Sequence, residues 1–319
     1  MARRGFLADF NSSEWDLARI ACENNDTTLM DQAISMTSEE DLEQLYDHAR
    51  RTAIKDNSTT ILSYLIERGV SVKTLKPSDV VGSRNTSKAT LEFLLAHGWD
   101  INTRDISGSG GDAQPFMWHV VSDGDMVAWC LEHGASVHPR DQEPLRDDVV
   151  TKSQRSCQQI LEKAAAWGNV ATFELLRSKG APLGWRPLHL AVETATYGHP
   201  DRAEAEKDTE KEKQNRADHV ERMAMVRHLL DVVGLDVNAL DQPAGGNLPN
   251  RNGTPICYIP GSRMLERDTR ELTWLLLDRG ADPTPALEVA KLDGYTRFAE
   301  DVEAWKKAQQ GDDRKCCVQ

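Results

Sequence analysis

A short amphipathic pattern that ends in glycine recurs along the chain. LEFLLAHG, which ends at Gly98, and LTWLLLDRG, which ends at Gly280, are two clear copies. In every copy the fourth and fifth residues before the glycine are apolar or aromatic. Because glycine adopts the left-handed conformation at a helix C-terminus without a Cβ clash, the pattern predicts helices that each end at a glycine. The other copies end at Gly69, Gly134, Gly180 and Gly234.

One helix of this length cannot enclose a core, so its apolar stripe must pack against the next copy. The sequence therefore predicts an all-α solenoid of about six helix pairs with terminal caps. The alternation of apolar and polar residues that is typical of strands does not recur. In five of the six copies the residue four positions before the glycine is leucine, and we expect these leucines to be buried: Leu65, Leu94, Leu176, Leu230 and Leu276.

Three segments in the second half of the chain resemble ankyrin repeats. RPLHLAV begins at Arg186, VRHLLDVVGLDVNALD begins at Val226, and GTPI begins at Gly253 and is followed by LTWLLLDRGAD. The resemblance covers roughly residues 40–300 and implies helix pairs joined by finger loops, which select protein partners on a concave face. It also implies that His189, within PLHLA, hydrogen-bonds to the backbone of a turn.

The copies depart from the family period of about 33 residues, because successive glycines lie 29 to 54 residues apart. Three polar segments account for the excess. Segment 105–114 is interpreted as a flexible finger and segment 139–156 as a connection between repeats. Segment 201–218, with 12 charged residues out of 18, is interpreted as a solvated helical extension or a disordered loop. A docking element for a partner is the alternative for this last segment.

The patterns divide the chain into four parts. Two helices split at Asn25 form the N-terminal cap, and two helices split at Gly294 form the C-terminal cap, which ends in charged residues. Between them lie the degenerate repeats, which carry the charged insertion. The N-terminal helical cap covers residues 1–40 and the repeats cover residues 41–284. The C-terminal helical cap covers residues 285–308, and a flexible tail covers residues 309–319.

The chain is acidic, with 51 Asp and Glu against 38 Lys and Arg and a formal net charge of -13. Such a surface repels phosphate, so nucleic acid is not an expected partner. No run approaches the ~18 apolar residues that span a bilayer, and no leader-type apolar segment is found, which favours a cytoplasmic protein. We interpret four scattered cysteines as buried thiols rather than disulfides: Cys22, Cys130, Cys157 and Cys257.

Two residue types mark candidate partner-binding positions on the finger loops. An arginine stands six residues after the glycine in three consecutive copies of the pattern, those that end at Gly98, Gly134 and Gly180. These arginines either recognise an acidic partner through bidentate pairs or are solvated. Tryptophans in the same loops either anchor a partner or pack against a neighbouring repeat. The candidates are Trp99, Arg104, Arg140, Trp185 and Arg186.

The last four residues, CCVQ, fit the C-a-a-X box for prenylation, and Gln at the last position favours a farnesyl group. Cys316 is the residue that would carry the lipid. A single prenyl chain gives reversible membrane binding, so we expect a cytoplasmic protein that is peripherally attached to a membrane. The alternative is a pair of cysteines at a frayed terminus.

No catalytic constellation, metal-ligand set or cofactor motif stands out in the sequence. His133 and His138, for example, have no Cys or carboxylate at metal-ligand spacing. The favoured function is therefore that of a protein-interaction adaptor or scaffold. The alternative is a soluble enzyme or a regulatory enzyme subunit that uses the repeat stack as a scaffold. That alternative requires a closed pocket with a His or carboxylate of shifted pKa.

Overall fold

The structure is a computed structural model that describes residues 13–81, 87–104, 114–139, 157–197, 210–241, 253–260 and 268–316. For residues 210–213, 215, 216 and 311–316 it describes only the backbone. All the regular elements in these ranges are helical: fifteen α-helices and one short 310 helix. The predicted all-α class is therefore confirmed for this part of the chain.

The chain divides into two compact units. The first comprises Met1–Gly108 and Gln114–His119, and the second comprises Ser109–Ala113 and Val120–Gln319. This division falls within the stretch that the sequence assigns to repeats, and the sequence patterns did not predict it.

The first unit begins with the helix pair that was predicted for the N-terminus. Asn25, with a φ of 56°, separates α1 from α2. The Asp26 carboxylate caps α2 by accepting from the N–H groups of Thr28 and Leu29 at 2.8 and 3.2 Å. α1 packs against α2 and α3, and α4 packs against the same two helices. The helices of this unit are α1 (Ser13–Asn24), α2 (Thr27–Met36), α3 (Leu42–Lys55), α4 (Thr59–Glu67), α5 (Pro77–Val81), α6 (Lys88–Ala96) and α7 (Phe116–His119).

The second unit is centred on the helix that carries the PLHLA motif. This helix, α11, packs against α9, α12 and the 310 helix. Gly294, with a φ of 72°, separates the last two helices, which confirms the predicted C-terminal pair. The described helices of this unit are α8 (Gly124–Glu132), α9 (Ile160–Trp167), α10 (Val170–Ser178), α11 (Pro187–Tyr197), α12 (Glu210–Asp231), the 310 helix (Pro255–Tyr258), α13 (Arg270–Asp278), α14 (Thr284–Asp293) and α15 (Thr296–Cys316).

Glycine ends the six helices as the sequence predicts. All six landmark glycines have left-handed φ angles, between 76° and 90°. At Gly180, the glycine N–H donates to the carbonyl of Arg177 at 3.0 Å, and the next N–H, of Ala181, donates to the carbonyl of Leu176 at 3.2 Å. This pair of bonds is the Schellman motif, which satisfies the last carbonyls of the helix. At Gly180 the local sequence therefore determines where the helix ends.

Four of the five leucines expected in the core are buried, and one is not. Leu65, Leu94, Leu176 and Leu276 are each at most 1% exposed. Leu230 is only partly buried, whereas its neighbour Leu229 is 0% exposed. The prediction for Leu230 is therefore wrong by one position. The turn at Gly234 causes this shift. The N–H of the residue after the glycine, Leu235, donates to the carbonyl five residues before the glycine, that of Leu229, whereas Ala181 N–H donates to the carbonyl four residues before Gly180, that of Leu176.

The three predicted insertions lie largely outside the described residues. Segments 105–113 and 140–156 are outside them, as are residues 201–209. Residues 210–218 are described and form the start of α12. The helical-extension alternative therefore holds for this second half of the charged insertion.

The four internal cysteines are buried free thiols, as expected. Burial raises the pKa of the Cys22 thiol to about 12, so this thiol stays protonated at neutral pH. Its Sγ–H donates to the carbonyl of Ala49 at 3.5 Å. Among the described helices, none is both long enough and apolar enough to cross a membrane.

Candidate functional site

Trp99 lies in the core of the first unit. It is 2% exposed, its indole N–H donates to the carbonyl of Leu75 at 3.3 Å, and its ring meets Phe116 edge-on at 5.7 Å between centroids. Trp99 is therefore a packing residue rather than an exposed anchor for a partner. Trp99 supports its finger loop from within the fold.

The candidate arginines are divided between the two units. Arg104 is partly exposed and belongs to the first unit, whereas Arg186 belongs to the second. Arg140 lies outside the described residues. The expectation that the three form a line toward an acidic partner therefore stays a prediction.

Trp185 and Arg186 form the finger that precedes α11, and a buried carboxylate holds their backbone. Glu162, on α9, is 7% exposed, and its Oε1 accepts from the N–H groups of Trp185 and Arg186 at 2.7 and 2.8 Å. Gly184 allows this approach, because a Cβ at that position would lie 2.6 Å from Glu162 Oε1. The φ of Gly184, 76°, also favours glycine.

Burial determines the electrostatics of this contact. Desolvation raises the pKa of Glu162, while the positive charge of Arg186 and the two backbone N–H groups act to lower it. The carboxylate is thus held in the protein by hydrogen bonds and a nearby cation at a considerable desolvation cost. Removing the carboxylate would leave both finger N–H groups without this partner.

A second buried carboxylate links the next finger to the 310 helix. Asp241 is 0% exposed, and its Oδ2 accepts from the hydroxyl of Tyr258 at 2.7 Å and from the N–H of Gly253 at 3.0 Å. Burial and the hydrogen bond to Asp241 raise the pKa of Tyr258, and the Arg186 guanidinium acts to lower it. Arg186 is therefore near this second contact as well as the first.

His189 connects these two fingers. Its Nε2 lies 3.0 Å from the carbonyl oxygen of Ala239, so Nε2 carries the proton in the neutral ring. The ring meets Tyr258 edge-on at 5.4 Å between centroids. Burial lowers the His189 pKa to about 4, against the effect of the hydrogen bond to Ala239. The backbone contact expected for this histidine is therefore present, and the ring is neutral at pH 7.

The side chain of Asn238 joins the finger that follows Gly234 to the finger that follows Gly280. Asn238 Nδ2 donates to the carbonyl of Gly280 at 2.9 Å, and Asn238 Oδ1 accepts from the N–H of Asp282 at 2.9 Å. On the adjoining helices, Arg279 makes a bidentate pair with Asp231, both bonds at 2.9 Å. Successive fingers in the second unit are thus held at fixed spacing.

Sequence reasoning missed Glu162, Asp241 and Tyr258. A signal for Glu162 was present, because it is the one carboxylate in the apolar stretch ILEKAAAW that forms α9. A charge that is buried in such a helix requires a partner. The polar side chains of this cluster bond to backbone or to one another, which fixes the loops. Within the described ranges, no group of three or more His, Cys, Asp or Glu is placed to hold a metal ion.

We expect His189 to make the folded state sensitive to acid. The unfolded imidazole binds a proton near pH 6.5, whereas the folded one does so only near pH 4, so acid favours the unfolded chain between these values. The stability that neutral His189 contributes is fully present above about pH 6.5 and fully lost below about pH 4. This loss lowers the free energy of unfolding by about 3 kcal/mol.

Urea unfolding between about pH 7.5 and pH 4 measures this loss. His189→Gln is the comparison variant, because its amide does not titrate but donates to the same carbonyl. The wild-type chain should lose more stability than the variant over this range. Equal losses in the two proteins would contradict the assignment to His189.

No protein-family model matches the chain, and no curated protein matches it. The finger loops and their contacts are therefore the features from which a function is proposed.

Proposed function

We propose that the chain is an ankyrin-type repeat solenoid that acts as a scaffold and binds a partner protein through its finger loops. The positions of the six left-handed glycines support the repeat assignment. The bond from His189, in PLHLA, to the carbonyl of Ala239 in the next finger supports it further. Both features are expected of stacked helix pairs, in which each loop contacts the next.

The observation that carries the binding proposal is the rigid pair of fingers in the second unit. Glu162 holds the backbone of Trp185, and His189 holds that of Ala239. Leu240, the residue after Ala239, is 50% exposed, although leucine is costly to leave in water. A fixed loop that presents an exposed apolar side chain binds a partner with little loss of conformational entropy.

The chemistry of the partner depends on which arginines are accessible. Arg186 already lies near Tyr258 and Glu162. We therefore propose that Arg186 stabilises its own finger rather than contacting an acidic partner.

We expect Leu240→Asp to abolish capture of the partner by the full-length chain. Leu292→Asp is the matched control, because Leu292 is 86% exposed on α14 and is not in a finger. Affinity capture from the native cell, followed by cross-linking to residues near position 240, measures the effect. If both variants retain the partner, or both lose it, the finger surface is not the binding site.

The proposed membrane tether is a prenyl group on Cys316. In this reaction the Sγ of Cys316 loses its proton and bonds to the prenyl carbon as diphosphate leaves. The described helix α15 extends through Cys316, past the predicted end of the cap at residue 308. Lys306 pairs with Glu303 at 2.9 Å. The other basic residues near the box, Lys307, Arg314 and Lys315, are partly balanced by Asp312 and Asp313. A single lipid chain without a strong basic patch supports reversible attachment.

Mass spectrometry of the native C-terminal peptide tests the tether. We expect a prenyl thioether at Cys316 and loss of residues 317–319. Cys316→Ser should move the membrane-bound fraction into the soluble fraction without changing the melting temperature. An unmodified CCVQ end in cells with active prenyltransferase would reject this part of the proposal and leave the partner-binding part intact.

A further inference from the structure

Two neighbouring finger loops of the first unit carry a net positive charge on an acidic chain. They comprise residues 70–76, after Gly69, and residues 99–104, after Gly98, and are named the basic fingers. Three cations stand in these loops against one carboxylate, whereas the whole chain has a formal net charge of -13. The cations are Lys73, Lys76 and Arg104, and the carboxylate is Asp100.

The first basic finger has a fixed backbone and presents its lysines at the surface. Val72 and Leu75 are buried, and Leu75 N–H donates to the carbonyl of Val72 at 3.2 Å, which closes a turn. Arg50, on α3, donates from Nη1 to the carbonyl of Ser71 at 2.6 Å. The buried pair and this bond hold the loop in place. The side chains that remain exposed are Lys73, Thr74 and Lys76.

Two contacts join the basic fingers to each other. The indole N–H of Trp99 donates to the carbonyl of Leu75 at 3.3 Å. The alkyl stem of Lys73 lies against Gly98, since a Cβ at that glycine would be 2.9 Å from Lys73 Cε. Lys73 is thus held at the start of the second basic finger while its side chain remains exposed. An ordered lysine stem loses little conformational entropy when its ammonium group pairs with a partner.

The ionic network beside the basic fingers is balanced within itself. Arg50 and Arg51, on α3, neutralise Asp47 and Asp79 through ion pairs. Asp79 Oδ2 also accepts from the backbone N–H of Lys76 at 3.2 Å. The net charge of the basic fingers is therefore not cancelled by this network. At an ionic strength of about 0.1 M the screening length is about 10 Å, so a local surplus of cations attracts an anion even on an acidic chain.

The other finger loops that the structure describes do not share this charge. The loops after Gly234 and Gly280 contain no Lys or Arg, and neither does loop 135–139. In the remaining loop the cation is Arg186, which lies near the buried carboxylate of Glu162. Among the described loops, the basic fingers are therefore the place that electrostatics favours for an acidic ligand.

We propose that the basic fingers bind an acidic segment of the partner protein. Lys73 and Lys76 supply compact ammonium groups, and Arg104 supplies a planar guanidinium whose geometry matches a carboxylate. An extended peptide brings successive carboxylates to cations on two adjacent loops. Nucleic acid is disfavoured, because its dense phosphates are repelled by the acidic remainder of the chain. The inference rests on the proposed scaffold function, which Leu240→Asp tests separately in the second unit.

The test is an NMR titration of the full-length chain with a hexaglutamate peptide, acetylated and amidated at its ends, at an ionic strength of about 0.1 M. We expect saturable shifts at the backbone amides of the basic fingers. Lys73→Gln with Lys76→Gln should weaken binding about fivefold or more, because two ion pairs are lost. Lys55→Gln with Lys88→Gln is the matched control, since it removes two exposed lysines of the same unit outside these loops. It should change the affinity by less than about twofold.

Asp100→Asn should change the affinity in the opposite direction. The variant keeps a side-chain oxygen to accept from the N–H of Asn102, now at 3.0 Å from Asp100 Oδ1, but removes the one carboxylate of the basic fingers. Peptide binding should therefore tighten about twofold or more, and this variant is decisive if the double lysine variant does not fold. Equal weakening by both lysine pairs, unchanged binding by Asp100→Asn, or tighter binding of a six-residue oligothymidylate at the same amides would each overturn the proposal. Absent peptide binding would reject this inference alone, since capture of the partner through Leu240 is measured independently.

Discussion

Leu276→Ala should lower the free energy of unfolding by about 2–5 kcal/mol. Leu276 is 0% exposed in α13, and removing its isobutyl group leaves a cavity among neighbouring side chains that relax only partly. Urea unfolding monitored by circular dichroism measures the loss.

Leu230→Ala, in α12, is the matched control. Because Leu230 is only partly buried, its truncation should cost clearly less than that of Leu276. Leu229→Ala, at the buried neighbouring position, should resemble Leu276→Ala instead. A larger loss at Leu230 than at Leu229 would contradict the one-residue shift at the end of α12.

Glu162→Ala should lower the free energy of unfolding by about 3 kcal/mol. The change removes the acceptor of the Trp185 and Arg186 N–H groups and the anion near the Arg186 guanidinium. Breaking a buried polar contact by deleting one partner costs more than the contact itself contributes, since the other partners stay behind unsatisfied. The amide signals of residues 185 and 186 should also shift or broaden as the finger loosens.

Glu174→Ala is the control for this second prediction. Glu174 lies on the neighbouring helix α10, is partly exposed, and pairs with His228 at 2.7 Å and Arg177 at 3.2 Å. Partly exposed ion pairs contribute little, so this truncation should cost about 1 kcal/mol or less. If it cost as much as Glu162→Ala, burial of the Glu162 carboxylate would not be the reason for its effect.

Features that depend on a few adjacent residues were predictable from the sequence. The turns at Gly98 and Gly280 follow from the ability of glycine to adopt a positive φ at a helix end. The breaks at Asn25 and Gly294 follow from the same local preference, to which asparagine also conforms. Burial of Leu276 follows from the 3.6-residue period of an amphipathic helix.

Features that depend on the path of the chain between elements were not predictable. Counting back from Gly234 identified Leu230 instead of Leu229, because the turn there closes one residue further back. The sequence pattern cannot register such a change, since both positions are leucine.

The sequence by itself determined the helical class, the glycine-ended helices and the candidate finger positions, because each is encoded by short-range backbone preference or side-chain periodicity. Only the tertiary structure decided which side chains meet. Glu162 reaches Trp185 across 23 positions of sequence, and His189 reaches Ala239 across 50. Such contacts depend on how helices pack, and packing brings together residues whose separation in sequence carries no local signal.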